Sequence, residues 1–260
     1  MLAVRRNTSA LPPGLPSRAA DYTDTGALRG LAAGTDDTLV LTPTPAGRDV
    51  EGYRRGYLAP VESLLSALED GPPRRIIYVS STRVYGDAGG AWVDEETTLR
   101  PADGQAEVLC EAESLLLASE HRASVVRFSG IYGRLPSRLL ERVRRGEIVR
   151  STPLHYSNRI HFSDCVGFLQ HLVDHPSPER LYLASDNEPA PSHEVERWLA
   201  EQLGVRNVVE SVEPPKASRR CRNARMVASG YTLAVPDYRA GYSAMITSTS
   251  MEAPLGSAAT

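Results

Sequence analysis

Ser80, Ser81 and Thr82 stand together where the short run Ile76-Ile77-Tyr78-Val79 stops, and Tyr85-Gly86 follow soon after. Hydroxyls grouped at a strand end can hydrogen-bond an oxygen of a substrate or cofactor. The same residues can equally do no more than cap a turn. An apolar, β-branched run of this length reads as a strand buried on both faces, as in a parallel sheet. In such sheets ligands bind in the crevice at the carboxyl ends of the strands, where these hydroxyls emerge.

Other groups that could do chemistry are sparse. His171 and His175 lie four apart on a helical segment, a spacing that can chelate zinc. No glutamate follows His171 and no third ligand is near in sequence, so both read as surface histidines. Cys110, Cys165 and Cys221 fit no zinc pattern, and no metal is expected. Unpaired thiols point to the cytoplasm. Lys216 is the only lysine, which restricts lysine-dependent chemistry. A net charge of −3 gives no reason to expect nucleic acid. No run of about 18 apolar residues could span a membrane, and the N-terminus lacks the apolar core of a signal peptide.

The elements that must position the hydroxyls alternate through the first half, which argues for βαβ units and a parallel sheet. A strand tail at 1–4 leads to a helix over 27–33, capped by Thr23 or Asp24. A strand at 38–42 precedes a helix over 49–68 that Pro60 must kink or restart. After the central strand, a helix over 105–120 turns Val108, Leu109, Leu115 and Leu116 inward, and 123–128 is a further buried strand. Helices over 136–145, 163–174 (capped by Asp164) and 192–203 follow, with strands at 181–184 and 205–209. In the helix starting at Ser192, Glu194 and Glu196 favour the dipole. Residues 247–260 read as a disordered tail.

Several segments then appear in a telling order. They are Val79-Ser80-Ser81-Thr82-Arg83-Val84-Tyr85-Gly86, Val93-Asp94-Glu95, Arg100-Pro101, Glu113-Ser114-Leu115-Leu116, Val126-Arg127-Phe128-Ser129-Gly130-Ile131-Tyr132-Gly133, Ile160-His161-Phe162-Ser163-Asp164 and Tyr182-Leu183-Ala184-Ser185-Asp186-Asn187-Glu188-Pro189. Over residues 2–245 the chain resembles the extended short-chain dehydrogenases/reductases, the NAD-dependent epimerase/dehydratase group. Asn223-Ala224-Arg225, Gly230-Tyr231, Pro236 and Gly241-Tyr242 are similar to a sugar-nucleotide-epimerase-like subgroup. The resemblance implies an α/β class with a Rossmann-like parallel sheet flanked by helices and a small C-terminal substrate-side lobe. Its divisions would be a partial dinucleotide-binding domain at 1–134, the remaining strands and lobe at 135–246, and the tail at 247–260.

By the same resemblance the cofactor is NAD(P), with NADP slightly preferred because Arg5 and Arg6 could pair with a 2′-phosphate. Asp21 and Tyr22 match the adenine contacts, and Thr42, Pro43 and Thr44 the ribose passage. Ser80 joins the cofactor set, and Ser129, Gly130 and Ile131 face the nicotinamide end. Ser81 falls on the catalytic Ser/Thr position, and Thr82, Tyr85 and His161 lie toward the substrate.

Two departures from the family pattern stand out. No G-x-G-x-x-G turn occurs, and residues 1–6 match the end of the second strand. The expectation is that the first strand and helix are missing, through a late start assignment or a truncated gene. The family's tyrosine and lysine fall on Gln105 and Leu109, and neither residue type occurs from Gly86 to Arg122. Glu107 and Glu111 on that helix are the candidate replacement acids. The implied activity is hydride transfer on a small carbonyl, sugar or nucleotide-sugar substrate, with Ser81 polarising the reacting oxygen. The alternatives are a non-catalytic dinucleotide-binding or sensor protein, and a truncated product with no tight ligand. Beyond a small-molecule substrate, a homodimer is the one partnership left open; nucleic acid and membrane are not expected.

Overall fold

Pro60 has no N–H for a helical ladder, and the 49–68 segment accommodates it by changing pitch. The computed structural model describes residues 1–29, 37–72, 74–215 and 217–252. Asp49 caps the segment, its carboxylate accepting from Gly52 N at 2.8 Å. A turn of α-helix, Val50–Tyr53, loosens into a π turn at Arg54–Leu58. The α-helix then resumes at Ala59–Leu68 with Pro60 in its first turn, where a missing N–H costs least. The segment lies close against the loop that follows strand Thr38–Leu41. A Cβ on Gly52 would come within 2.4 Å of Gly47 Cα, and one on Gly56 within 2.3 Å of the Thr44 carbonyl.

Four strands form the principal sheet, in the order Leu181–Ala184, Arg122–Phe128, Arg75–Ser81, Thr38–Leu41. Thr38–Leu41 runs parallel to Arg75–Ser81, with Thr38 opposite Arg75 and Leu41 opposite Tyr78. The helices between consecutive strands make this the expected α/β class. Ala3–Arg5 and Ser17–Ala19 form a separate parallel pair.

The chain packs as two units. The first comprises Met1–Val84, Pro101–Arg127 and Pro176–Leu181. Its core joins Leu58, Val61, Leu64 and Leu68 to Ile76 and Tyr78 of the central strand, and to Val108, Ala112 and Leu116 of helix Gly104–Ala118. Leu115, expected inward, is instead 38% exposed. One residue of rotation from Leu116 carries a side chain about 100° around a helix, off the apolar stripe. Asp103 caps this helix through Ala106 N at 2.9 Å. Asp24 caps the short helix Thr25–Leu28, and the rest of the 27–33 expectation lies outside the described residues.

The second unit comprises Tyr85–Arg100, Phe128–His175 and Tyr182–Thr260. Its core packs Leu140 and Val143 with Ile148, Val195, Leu199, Tyr238 and Tyr242. Two-residue and three-residue strand pairs knit its loops, including Gly130–Tyr132 with Arg159–His161 and Trp92–Val93 with Arg220–Cys221. Glu95 accepts from Leu183 N at 2.7 Å. Helix Phe162–Asp174 is capped by His161 and not by Asp164. Asp164 is committed elsewhere, accepting from Ala234 N, Val235 N and the Tyr231 hydroxyl at 2.7, 3.0 and 3.0 Å. The strand expected at 205–209 forms at Val209–Val212, because it takes its register from Glu147–Val149. Glu196 of helix Ser192–Gln202 is buried, accepting from Arg142 and from Val149 N at 2.6 and 2.7 Å instead of facing solvent near the dipole. Residues 247–252, read as the start of a disordered tail, continue helix Tyr238–Glu252, and the Thr247 hydroxyl bonds back to the Ser243 carbonyl at 3.0 Å. The remainder of that tail lies outside the described residues.

The first unit holds a buried ion pair at the exit of its central strand. Glu113, 2% exposed, accepts from Arg127 Nη2 at 2.6 Å and Nε at 3.0 Å, and from the Ser80 hydroxyl at 2.5 Å. Removing one partner of such a pair leaves an uncompensated charge and costs about 3–5 kcal/mol. Glu113→Ala is expected to lose about that much in urea unfolding, whereas Glu113→Leu combined with Arg127→Met should recover a large part of it. Equal loss in both variants would contradict the role assigned to the pair.

Candidate functional site

The carboxyl end of strand Arg75–Ser81 places its three hydroxyls in three different environments. Ser80 is buried, and its proton is given to Glu113. Thr82 is buried at the start of a 3-10 turn, Thr82–Tyr85. Ser81 is half-buried, and its oxygen accepts from Arg83 N at 3.2 Å. A hydroxyl that accepts a backbone N–H still has its own proton to donate. Of the three, Ser81 therefore has the hydrogen-bonding arrangement suited to polarising a substrate oxygen.

Arg83, two residues on, is fixed in a fork against Asp103, with Nε and Nη2 at 3.2 and 2.6 Å from the carboxylate oxygens. It also lies 5.7 Å from the Tyr53 ring centroid. The Asp103 hydrogen bond raises the Arg83 pKa, and the same bond holds the Asp103 carboxyl below the ordinary carboxylate range. On the helix that Asp103 caps, the Gln105 amide donates to the Arg48 carbonyl at 3.1 Å, and Leu109 is buried. Neither side chain can exchange a proton at neutral pH. Of the candidate replacement acids, Glu111 pairs with Arg54 at 2.9 Å and Glu107 is exposed.

The residues expected at the adenosine end of a dinucleotide also lie in the first unit. Arg5 and Arg6 are exposed at the end of strand Ala3–Arg5, with Arg6 3.9 Å from Asp21. Asp21 accepts from Thr23 N and its hydroxyl at 2.9 and 2.7 Å, and these bonds lower its pKa. Tyr22 packs partly against the core. Thr42 and Thr44 are exposed beyond strand Thr38–Leu41, and Pro43 between them is buried.

Ser129, Gly130, Ile131, Tyr85 and His161 belong to the second unit. Ser129 is buried, its hydroxyl 3.1 Å from that of Ser185, which in turn donates to the Arg159 carbonyl. Gly130 lies against the Asn158 carbonyl, which a Cβ would approach to 2.9 Å, and Ile131 is exposed. Tyr85 is buried. His161 caps its helix through Ser163 N and stacks edge-on against Tyr132 at 5.3 Å, so its ring serves packing and capping. His155 is held between the Ser192 hydroxyl and the Ala217 carbonyl, at 2.7 and 3.0 Å. His171 bonds Ser229, and among the described residues no cluster of three His, Cys, Asp or Glu side chains could hold a metal.

Two groups were missed from sequence. In sequence Glu113 belongs to the segment Glu113-Ser114-Leu115-Leu116 and carries no role there, and its contacts with Ser80 and Arg127 exist only in three dimensions. Asp186, 1% exposed, keeps Oδ1 on Glu188 N at 3.2 Å while Oδ2 is buried without a partner among the described residues. Burial pushes its carboxyl up to about 7. Its folded pKa is raised, so its contribution is intact below pH 4 and is lost as pH rises through 7. Asp186→Asn should match the wild type in unfolding free energy near pH 4. At pH 8 it should exceed it by on the order of 2–4 kcal/mol. Equal stability at both pH values would contradict the assignment.

No protein-family model matches the chain. Protein YeeZ of Escherichia coli (strain K12) is 33% identical over 182 residues, 69% of this chain, and the chain spans about three fifths (61%) of that relative's length. A solved structure described as an NAD-dependent epimerase/dehydratase from Methylobacillus flagellatus is 32% identical, with a TM-score of 0.78, covering 96% of this chain and 89% of that one. The dTDP-glucose 4,6-dehydratase of Bacillus anthracis, solved with NAD, shares the fold at 16% identity and a TM-score of 0.77, covering 94% and 82%. With about a third of its residues shared across nearly the whole length of the Methylobacillus protein, this chain belongs to the NAD-dependent epimerase/dehydratase family of extended short-chain dehydrogenases/reductases.

Proposed function

We propose that the protein binds a nicotinamide dinucleotide and acts on a small carbonyl, sugar or nucleotide-sugar substrate. The observation that carries the reading is the Ser81 hydroxyl at the carboxyl end of the central strand, with its oxygen on Arg83 N and no acceptor for its proton among the described residues. Solved structures of the same fold support it. That of RMD from Pseudomonas aeruginosa is complexed with NADPH, and that of MoeE5 with UDP-glucuronic acid and NAD.

The side chains present suit one part of such a cofactor and not another. Exposed Arg5 and Arg6 would take the 2′-phosphate of NADP, favouring it slightly, with Asp21 and Tyr22 beside the adenine and Thr42 to Thr44 along the ribose. Ser129 to Ile131, in the second unit, would border the nicotinamide end. Among the described residues, however, no strand, glycine-rich turn and helix offer backbone N–H groups to a pyrophosphate. The described residues do not complete the cofactor site, and their own chemistry is confined to the substrate oxygen and its proton.

The Ser81 O–H donates a hydrogen bond to the reacting substrate oxygen and keeps its proton, and the backbone N–H of Arg83 fixes the orientation of that hydroxyl. Thr82 in the first unit, and Tyr85 and His161 in the second, are the further substrate candidates. The proton exchanged during reaction comes from a group other than Gln105 or Leu109. A non-catalytic sensor is the second reading, favoured by the chemistry of those two side chains. No disulfide joins the three cysteines, which accords with a cytoplasmic setting, and a homodimer is the one assembly left open.

Ser81→Ala should lower turnover on a panel of aldehydes, ketones and nucleotide sugars about 100-fold or more. Its NADPH affinity by fluorescence titration should stay within about two-fold, because the lost bond is to substrate. Binding without turnover by the wild type would support the sensor instead.

A further inference from the structure

His121 in the first unit uses its ring as an acceptor. The backbone N–H of Arg74 donates to its Nδ1 at 3.0 Å, immediately before the central strand Arg75–Ser81. The Arg74 carbonyl accepts from Arg122 N at 2.8 Å, so His121 and Arg122 together satisfy both backbone groups of Arg74. A neutral imidazole has one acceptor nitrogen, and the Arg74 N–H occupies it, which assigns the ring proton to Nε2. His121 is held in turn from the helix side. Its N–H donates to the Ser119 hydroxyl at 3.4 Å, and that hydroxyl donates to the Leu116 carbonyl at 2.7 Å, at the end of helix Gly104–Ala118. The imidazole therefore links a helix end to the start of the strand that carries Ser81 at its other end.

A proton on Nδ1 would turn the acceptor into a donor facing a donor, and the bond cannot survive that change. The surroundings offer a second positive charge little compensation. Arg74 is 3% exposed, its Nη1 is buried without a partner, and no ion pair among the described residues includes it. Glu120 is exposed, as is Arg122, while Arg180 from the neighbouring segment donates to the Leu117 carbonyl. Burial is the largest influence on the His121 ring and holds its pKa below the ordinary value, with Glu120 opposing and Arg74 adding to the effect. Because the folded pKa is lowered, the link is intact above about pH 6.5 and is lost as pH falls through the folded value. His155 in the second unit differs, because its Nδ1 faces the Ser192 hydroxyl at 2.7 Å, which accepts as readily as it donates.

We propose that His121 is an acid-sensitive latch, which when neutral fastens the start of the central strand to the end of helix Gly104–Ala118 and when protonated lets that strand start go. The latch needs neither cofactor nor substrate, and it operates independently of the proposed function. A backbone N–H that loses its partner at a half-buried position opens toward water, so the release is local to the strand start.

The test is amide hydrogen exchange read by NMR on the full chain at about pH 7.5 and about pH 5, each rate divided by the intrinsic exchange rate at that pH. Protection of the Arg74 N–H is expected to fall about three- to thirty-fold at the lower pH, the upper bound following from a pH about 1.5 below the ordinary histidine value. In His121→Asn the side-chain oxygen can stand near the Nδ1 position and does not titrate in this range. Its Arg74 protection should therefore change by less than about two-fold between the two pH values. Unchanged protection in the wild type overturns the proposal, and so does an equal fall in His121→Asn. If the asparagine variant does not fold, the imidazole nitrogen spectrum of the wild type decides. A ring proton on Nε2 at neutral pH, with titration below the ordinary histidine value, supports the latch. A ring proton on Nδ1 at neutral pH, or titration at or above that value, overturns it.

Discussion

A carboxylate buried behind the central strand sets the chemistry available in front of it. Glu113 faces Arg127 and Ser80 at the same time, and each contact settles something different. Arg127 neutralises it, which makes the charge tolerable in the core. Ser80 gives it a proton, which turns that hydroxyl away from any ligand. The strand end is thereby pinned to helix Gly104–Ala118, and Ser81, next in sequence, inherits a fixed backbone position. Buried pairs of this kind are weak sources of stability but strong penalties when broken. The pair fixes geometry more than it adds free energy.

On the same helix, Gln105 and Leu109 are both committed to the protein's own packing. One is tied to the Arg48 carbonyl and the other is packed into the core. The nearby cation is Arg83, which lies at the N-terminal end of the helix through its fork with Asp103. That fork is more than a third exposed on both sides, so its energetic contribution is small and its value is orientation. The second unit has its own polar frame, built on Asn158, Ser185 and the Arg159 carbonyl.

Much of the fold was legible in the sequence because local rules and packing agreed. Asp49 and Asp103 cap helices that periodicity had placed within a residue or two, and the apolar run at Ile76 became a strand buried on both faces. Failures came where a distant partner won. Asp164 sat where a cap was expected, but the segment around Ala234 claimed its oxygens. Val209–Val212 took its position from Glu147–Val149, a pairing that no local pattern announces. The candidate site was legible only as a cluster of hydroxyls. Which of them can still donate depends on Glu113, 33 residues from Ser80 and on another element.

Whether the first unit receives a dinucleotide can be read by hydrogen exchange and mass spectrometry, with and without saturating NADPH, since exchange reports backbone protection segment by segment. Slowed exchange is expected in peptides covering 42–47 and 80–85, with helix 238–252 unchanged. Unaltered exchange in both of those segments, at NADPH concentrations where relatives of this fold bind, would contradict cofactor binding at the strand ends and the role given to Ser81 with it.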